Sequence, residues 1–356
     1  MTAVGGSLRI AQVAPALEAV PPPGYGGTER VVDELARELQ RRGHRVTLFA
    51  SADSTSTVSL IPTVERALRP AGRLVDEAPS LLATLDAVLR RANDFDLVHA
   101  HLEFAGLVLA RALPIPVAAT FHGRLDRPWA DELLAGTTAG LCAVSAAQAS
   151  AHPGRPWQVV HNGLSLAEAP FRAVGGEDLC FVGRMTPEKG AVEAVEIARR
   201  SGRRLRVAAK EPASAGERDY YEGRFLPATR RADVELLGEL APDERDRLFA
   251  ESHATLMPGD WPEPFGLVAI ESLACGTPIV GRRVGGIPEI VRDGLDGILG
   301  DSVDELARRI PEVGRLDRAA IRAAVLERFS VARMTDGYEP VYEALLARSP
   351  EPVQVS

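Results

Sequence analysis

Glu263 and Glu271 stand eight positions apart in WPEPFGLVAIESLACGTP, residues 261–278. Pro264 and Gly266 mark a turn, and Leu267 to Ala274 has helical composition. Gly276 and Pro278 stop the helix. Glu263 is therefore expected on a loop and Glu271 about a turn and a half into a helix. The N–H groups of Phe265, Gly266 and Leu267 would open that helix and seat an anion or a polar sugar edge. Two carboxylates would repel an anion there, so hydroxyl groups are their natural ligands. A plainer alternative is one acid serving the helix dipole and one solvated glutamate.

A second segment, FVGRMTPEKG (181–190), sets Arg184 and Lys189 five positions apart after a short apolar strand. Lys189 is expected to start a helix, Glu188–Ser201, where a cation opposes the macrodipole. An anion between the two bases would resolve that conflict, with arginine as a two-bond clamp and lysine as a point charge. A surface pair of basic residues is the alternative. The third segment is PPGYGGT (22–28), where Gly26 and Gly27 at a strand-to-helix turn let backbone approach a ligand. It is not GxGxxG, and GxxxxGK[ST] is absent, which argues against a dinucleotide site and a P-loop. Asp53 is a weak candidate for a ribose-binding acid. The single DxD, Asp94-Phe95-Asp96, precedes a strand and reads as incidental.

These segments are spaced along an alternation of short apolar strands and amphipathic helices. Leu8–Ala14, Arg45–Ala50, Leu97–Ala100, Pro116–Phe121, Leu141–Val144 and Gln158–His161 read as strands. The pattern restarts at Leu179–Val182, followed by Leu205–Ala209, Val234–Gly238, Ala254–Met257, Pro278–Val280 and Gly297–Leu299. Such alternation implies two parallel sheets covered on both faces, with ligands at the C-terminal strand ends. The fold class is thus α/β, two Rossmann-like domains. The Ala/Gly/Pro-rich stretch Ser165 to Asp178 reads as the hinge, and the tail from Ser302 reads as helical. His99 and His101 alternate on one strand face. A structural or cleft-lining role fits them better than a metal pair.

Composition bounds the chemistry. The chain has 356 residues and a formal net charge of −8, which disfavours wholesale binding to nucleic acid or anionic membrane. Among 41 basic residues only Lys189 and Lys210 are lysines. Three cysteines without a CxxC suggest neither disulfides nor zinc. Met1 to Ser7 lacks the character of a signal peptide, and Ala105 to Phe121 is interrupted by Arg111, Pro114 and Pro116. A cytoplasmic protein without a transmembrane segment is expected.

Taken together, the segments resemble the retaining GT-B glycosyltransferases of family 4. The pieces run in order over nearly the whole chain: GYGGTER, DLVHAHLEFAG, TFHG, VVHNGL, VGRMTPEKG, EPFGLVAIE, ACGTPIVG, GGIPEIVRDGLDGIL and FSVARMTDGYEPVYEALL. AAKEPASAGERDYYEG and PPPGYGGTE are similar to the subgroup that contains an avilamycin-pathway transferase. The resemblance implies an N-terminal acceptor-side domain, 1–168, facing a C-terminal nucleotide-sugar domain, 169–330, across a cleft. A closing helix, 331–350, crosses back to the first domain, and donor binding would close the cleft. Gly26 and Gly27 would approach the donor diphosphate. Arg184 and Lys189 would neutralise it in place of a divalent metal. Glu263 would bind hydroxyls of the transferring sugar, with Phe265, Gly266 and Leu267 as backbone donors. Glu271 would hold the ribose, and His122 of TFHG would sit beside the sugar.

Lys210 is a possible nucleotide contact, and Arg124 and Asp126 are possible acceptor contacts. The implied donor is a UDP- or GDP-linked sugar, with no prosthetic group and no metal. The acceptor would be a small molecule, a glycan or a lipid-linked hydroxyl. Arg282 and Arg283 depart from the family pattern, where relatives often have a small or acidic residue. A phosphorylase or nucleotide-sugar epimerase on the same fold, and a non-catalytic two-domain sugar-binding protein, are the competing classes.

Overall fold

The computed structural model describes residues 6–24, 26–210, 212 and 214–348. Tyr25 of the glycine-rich loop and residues 349–350 of the expected closing helix lie outside the described residues. Two units divide the chain. The first runs to Leu164 and takes in the helix Val331–Arg348; the second is Ser165–Ser330.

The first unit holds seven strands: β1 (Arg9–Val13), β2 (Arg45–Ser51), β3 (Ser59–Val64), β4 (Leu97–Ala100), β5 (Val117–Phe121), β6 (Gly140–Ala143) and β7 (Gln158–Val159). They form one parallel sheet in the order β3-β2-β1-β4-β5-β6-β7. β4 and β5 are buried along their whole length, as strands covered on both faces are, and each carries one polar residue in an otherwise apolar run, His99 and Thr120. The helix Gly27–Arg41 turns Val31, Val32, Leu35, Ala36 and Leu39 into the core and ends at Gly43, whose φ is 96°. The strand order reverses between β1 and β4. That leaves a crevice at their C-terminal ends, where loops carry ligand-binding groups in such sheets.

The helix Val331–Arg348 packs into this unit through Tyr338 and Tyr342, both fully buried. Arg42 anchors its outer side, reaching Asp336 at 2.8 Å and Glu339 at 2.7 Å. Pro340 lies within it without ending it.

The second unit repeats the design with six strands: β8 (Leu179–Gly183), β9 (Leu205–Ala209), β10 (Val234–Gly238), β11 (Ala254–Met257), β12 (Ile279–Arg282) and β13 (Gly297–Gly300). Their parallel order is β10-β9-β8-β11-β12-β13. Leu179, Phe181, Leu205, Leu256 and Val280 supply its core. Here the order reverses between β8 and β11, so the segments after those strands, Arg184–Lys189 and Pro258–Glu263, border the crevice.

One expected element is corrected. Lys189 does not start the helix. Pro187–Lys189 form a single 3-10 turn, Gly190 follows at φ 78°, and the helix is Ala191–Ser201. The left-handed Gly190 breaks the helical run, and no β-carbon fits there: it would lie 2.6 Å from the backbone nitrogen of Gly259. Among the described residues no helix is long and apolar enough to cross a membrane.

Candidate functional site

In the second unit the two glycines Gly190 and Gly259 let the turn after β8 lie directly against the loop after β11. A β-carbon on Gly259 would meet the carbonyl of Glu188 at 2.1 Å. That close approach brings Lys189 to Glu263, 74 positions away. The Lys189 ammonium bonds Glu263 Oε2, and Trp261 Nε1–H donates to the same oxygen at 3.0 Å. The ammonium also stands 5.1 Å over the Trp261 ring, a cation–π contact. Behind Glu263, Gly285 takes φ 58° and Gly286 donates its N–H to the Glu263 carbonyl at 2.8 Å. A β-carbon on Gly285 would fall 2.5 Å from the Glu263 backbone. The loop is thus clamped from both sides. Glu263 Oε1 carries no hydrogen bond among the described residues.

Arg184 lies half exposed after β8, 3.4 Å from Glu188 and 3.7 Å from Glu217. Phe265 is buried against Phe329, and Gly266, at φ 106°, caps the helix Leu267–Ala274. Glu271 sits in that helix, nearly buried, 3.1 Å from Arg245. Glu263 is thus held by Lys189 and Trp261, and Glu271 by Arg245. The repulsion expected between two bare carboxylates and an anion is offset by two cations of the chain itself. Lys210 lies 3.7 Å from Glu239. Arg282 reaches Asp260 at 2.9 Å and Arg283 reaches Asp293 at 3.0 Å, which accounts for this Arg pair.

In the first unit, Gly26 precedes the helix that Gly27 opens. A β-carbon at Gly26 would lie 2.7 Å from the Pro22 ring, so the loop closes on itself there. Asp53 is occupied otherwise: its carboxylate accepts the Ala67 N–H. Asp96 of the DxD receives the Arg9 guanidinium at 2.7 Å. Arg124 and Asp126 pair with each other on the segment that follows His122.

His122 directly follows β5 and joins one end of a polar network in the sheet's crevice. His101 Nδ1 lies 2.9 Å from His122 Nε2, and His101 Nε2 lies 2.9 Å from Gln12 Oε1. The His99 and His101 rings are 4.1 Å apart. His99 contacts Tyr342 at 2.8 Å and Thr120 at 2.7 Å. Burial pushes His99 down to about 3 and His122 to about 4, and holds His101 well below the usual range. All three rings are neutral at pH 7. In this packed network His99 and His101 each spend both ring nitrogens on neighbouring side chains, while His122 spends Nε2.

Glu103, which sequence reasoning passed over, holds the His122 backbone. Its Oε1 accepts the N–H of His122 at 2.9 Å and of Gly123 at 3.0 Å. Glu103 itself takes φ 51°, rare outside glycine. Burial pushes its carboxyl up to about 7. Gln12 and Arg245 were missed too, since their partners lie far off in sequence, and Trp261 was missed although Glu263 is only two positions away. Glu103→Ala is expected to cost about 2–3 kcal/mol in stability, as it orphans two N–H groups. Glu103→Gln keeps a carbonyl oxygen for both and should stay within about 1 kcal/mol. Thermal unfolding of the two variants checks this.

Against known families, residues 25–168 match the glycosyltransferase family 4 model, and residues 168–322 match the group 1 glycosyl transferase model. Similar curated proteins include a D-inositol 3-phosphate glycosyltransferase of Acidothermus cellulolyticus, 29% identical over 95% of this chain and 91% of the relative. A glycogen synthase of Mycobacterium tuberculosis is 27% identical over 78% of this chain and 79% of its own length. Among solved structures, AviGT4, a glycosyltransferase involved in avilamycin A biosynthesis, is 26% identical with a TM-score of 0.74, covering 96% of this chain and 98% of AviGT4. The sucrose-phosphate synthase of Thermosynechococcus elongatus, at 18% identity, shares the fold with a TM-score of 0.77 over 96% of this chain and 99% of its own. Two parallel-sheet Rossmann-like units and family matches spanning 25–322 lead to one conclusion: the chain belongs to glycosyltransferase family 4 and is a glycosyltransferase of the GT-B fold.

Proposed function

We propose that this glycosyltransferase moves a sugar from a nucleotide-diphosphate donor to a hydroxyl acceptor, with retention of configuration and without a divalent metal. The observation that carries the reading is the arrangement at Glu263. One carboxylate oxygen is fixed by Lys189 and Trp261, and the other is left for a ligand hydroxyl. Lys189 has three N–H donors, so bonding Glu263 leaves two for a phosphate. Arg184, on the same turn region, adds a second positive charge. Departure of the nucleoside diphosphate builds negative charge that these cations would stabilise by preorganised electrostatics.

The remaining assignments follow from this. Phe265, Gly266 and Leu267 offer backbone to the donor. Glu271 takes the ribose, and Lys210 is available to the nucleotide. Gly26 and Gly27 approach the diphosphate, and His122 contacts the transferring sugar. The first unit supplies the acceptor side, with Arg124 and Asp126. The donor nucleoside is uridine or guanosine; HepE of Anabaena, a fold neighbour at 19% identity, was solved with UDP and glucose. The acceptor is a hydroxyl of a small molecule, glycan or lipid-linked sugar.

Chelation tests the metal-free mechanism. Excess EDTA is expected to leave turnover within about twofold, because cationic side chains take the metal's electrostatic part. Loss of turnover restored by magnesium or manganese would overturn it. The anomeric coupling in the NMR spectrum of the product tests retention: the product is expected to share the donor's anomeric configuration, and an inverted linkage would refute it.

A further inference from the structure

We infer that Gln12 and His101 hold His122 in one neutral form, protonated at Nε2, so that its Nδ1 is presented as a hydrogen-bond acceptor. The far end of the network sets the direction. Thr120 donates its hydroxyl proton to the Tyr338 oxygen at 3.1 Å, and therefore accepts from His99 Nε2 at 2.7 Å. His99 is then protonated at Nε2, and its Nδ1 requires donors. The Tyr342 hydroxyl supplies one at 2.8 Å, and the Gln12 amide nitrogen lies 3.4 Å away as another.

That fixes which way Gln12 faces. Turned over, its carbonyl oxygen would oppose the His99 lone pair. With the amide nitrogen toward His99, Oε1 faces His101 Nε2 at 2.9 Å, which must carry a proton. His101 Nδ1 is left as an acceptor, and His122 Nε2 donates to it across 2.9 Å. The sheet register enforces the geometry, since Gln12 of β1 is paired with His99 of β4. The Tyr338–Tyr342 pair of the C-terminal helix thereby reaches the His122 ring through neutral side chains alone. Among the described residues His122 Nδ1 carries no hydrogen bond.

The chemical consequence is selective. A lone pair at Nδ1 accepts from a sugar hydroxyl and repels a phosphate oxygen. His122 would thus hold the transferring sugar and turn away its diphosphate, a role that rests on the proposed placement of His122 beside the sugar. Gln12 and His101 are positioning residues, acting through His122.

The test is a long-range 1H–15N spectrum of the full chain labelled with 15N-histidine, at neutral pH without ligand. His122 is expected to show an unprotonated Nδ1 and a protonated Nε2. Gln12→Leu removes the acceptor that orients His101, and His122 should then report a mixture of forms, with kcat lowered about tenfold and donor KM little changed. A wild-type spectrum with His122 protonated at Nδ1 overturns the inference, and it needs no variant to fold. So does a single unchanged form in Gln12→Leu. If the wild-type spectrum is as expected but His122→Ala turns over like wild type, the tautomer assignment stands and the placement of His122 beside the sugar falls.

Discussion

Lys189→Ala is expected to remove on the order of 2–4 kcal/mol of transition-state stabilisation, roughly a 30- to 1,000-fold fall in kcat/KM. The lysine is one of only two in the chain and is held over Trp261 against Glu263. Its stability cost should be small. The pair is partly exposed, such pairs contribute about 0–1 kcal/mol, and Glu263 keeps its bond from Trp261. Arg184→Ala should fall in the same range. Because each cation acts on the leaving diphosphate, the double variant should lose less than the sum of the two. Steady-state kinetics beside thermal unfolding separates the two effects. Wild-type kinetics in both single variants would remove the diphosphate assignment.

Acid should destabilise the first unit through its histidines. His99, His101 and His122 have folded pKa values far below the unfolded value near 6.5. Below pH 6.5 the unfolded chain takes up protons that the folded chain refuses. The stability they allow is complete above that pH and falls by about 1.4 kcal/mol per pH unit for each histidine as pH drops. Glu29 and Glu103 work in the opposite sense. Burial raises both to about 7, so the folded state binds protons there that the unfolded state has released. Their contribution is complete below about 4.5 and is lost as pH rises toward 7. Between pH 5 and 6.5 three groups thus oppose two, and wild type should lose stability only gently on acidification. In Glu29→Gln/Glu103→Gln the opposing pair is gone, and the fall should be about threefold steeper. Denaturant titrations at several pH values in that window check the slope. Equal slopes for the two proteins would contradict the raised carboxyls of Glu29 and Glu103, and a variant whose stability does not fall on acidification would contradict the assignment of buried, neutral histidines.

Much of the fold is legible in the sequence where burial is uniform. Leu97–Ala100, Leu205–Ala209, Val234–Gly238 and Ala254–Met257 are strands with the ends that their apolar runs and bounding residues imply. Legibility fails where one residue overrides a pattern. Glu188–Ser201 has helical composition, but Gly190 is needed for the approach of Gly259, and it sets Lys189 outside the helix. The motif residues were visible as types and spacings; their partners were not. Nothing local pairs Lys189 with Glu263 or Glu271 with Arg245: segments after two different strands bring the first pair together, and the helices Pro242–Glu251 and Leu267–Ala274 bring the second. The histidine network is harder still. Gln12 and Tyr342 are 330 positions apart, and only the docking of the C-terminal helix on the β1–β4 crevice joins them. Glu103 gave no sequence signal, since its left-handed backbone is an unusual state for glutamate.

The central claim, that the second unit holds a nucleotide-diphosphate sugar at Lys189 and Glu263, is tested most directly by binding. A panel of UDP- and GDP-sugars, each at saturating concentration, is screened by thermal shift with wild type, Lys189→Ala and Glu263→Gln. A ligand at 100 times its Kd adds about 2.7 kcal/mol of apparent stability, so a hit is a shift of several degrees. At least one nucleotide sugar is expected to stabilise wild type. Lys189→Ala should lose the shift for that sugar and for its free nucleoside diphosphate. Glu263→Gln should lose more of the sugar's shift than of the free nucleoside diphosphate's. No shift with any nucleotide sugar, or equal shifts in all three proteins, would contradict the account.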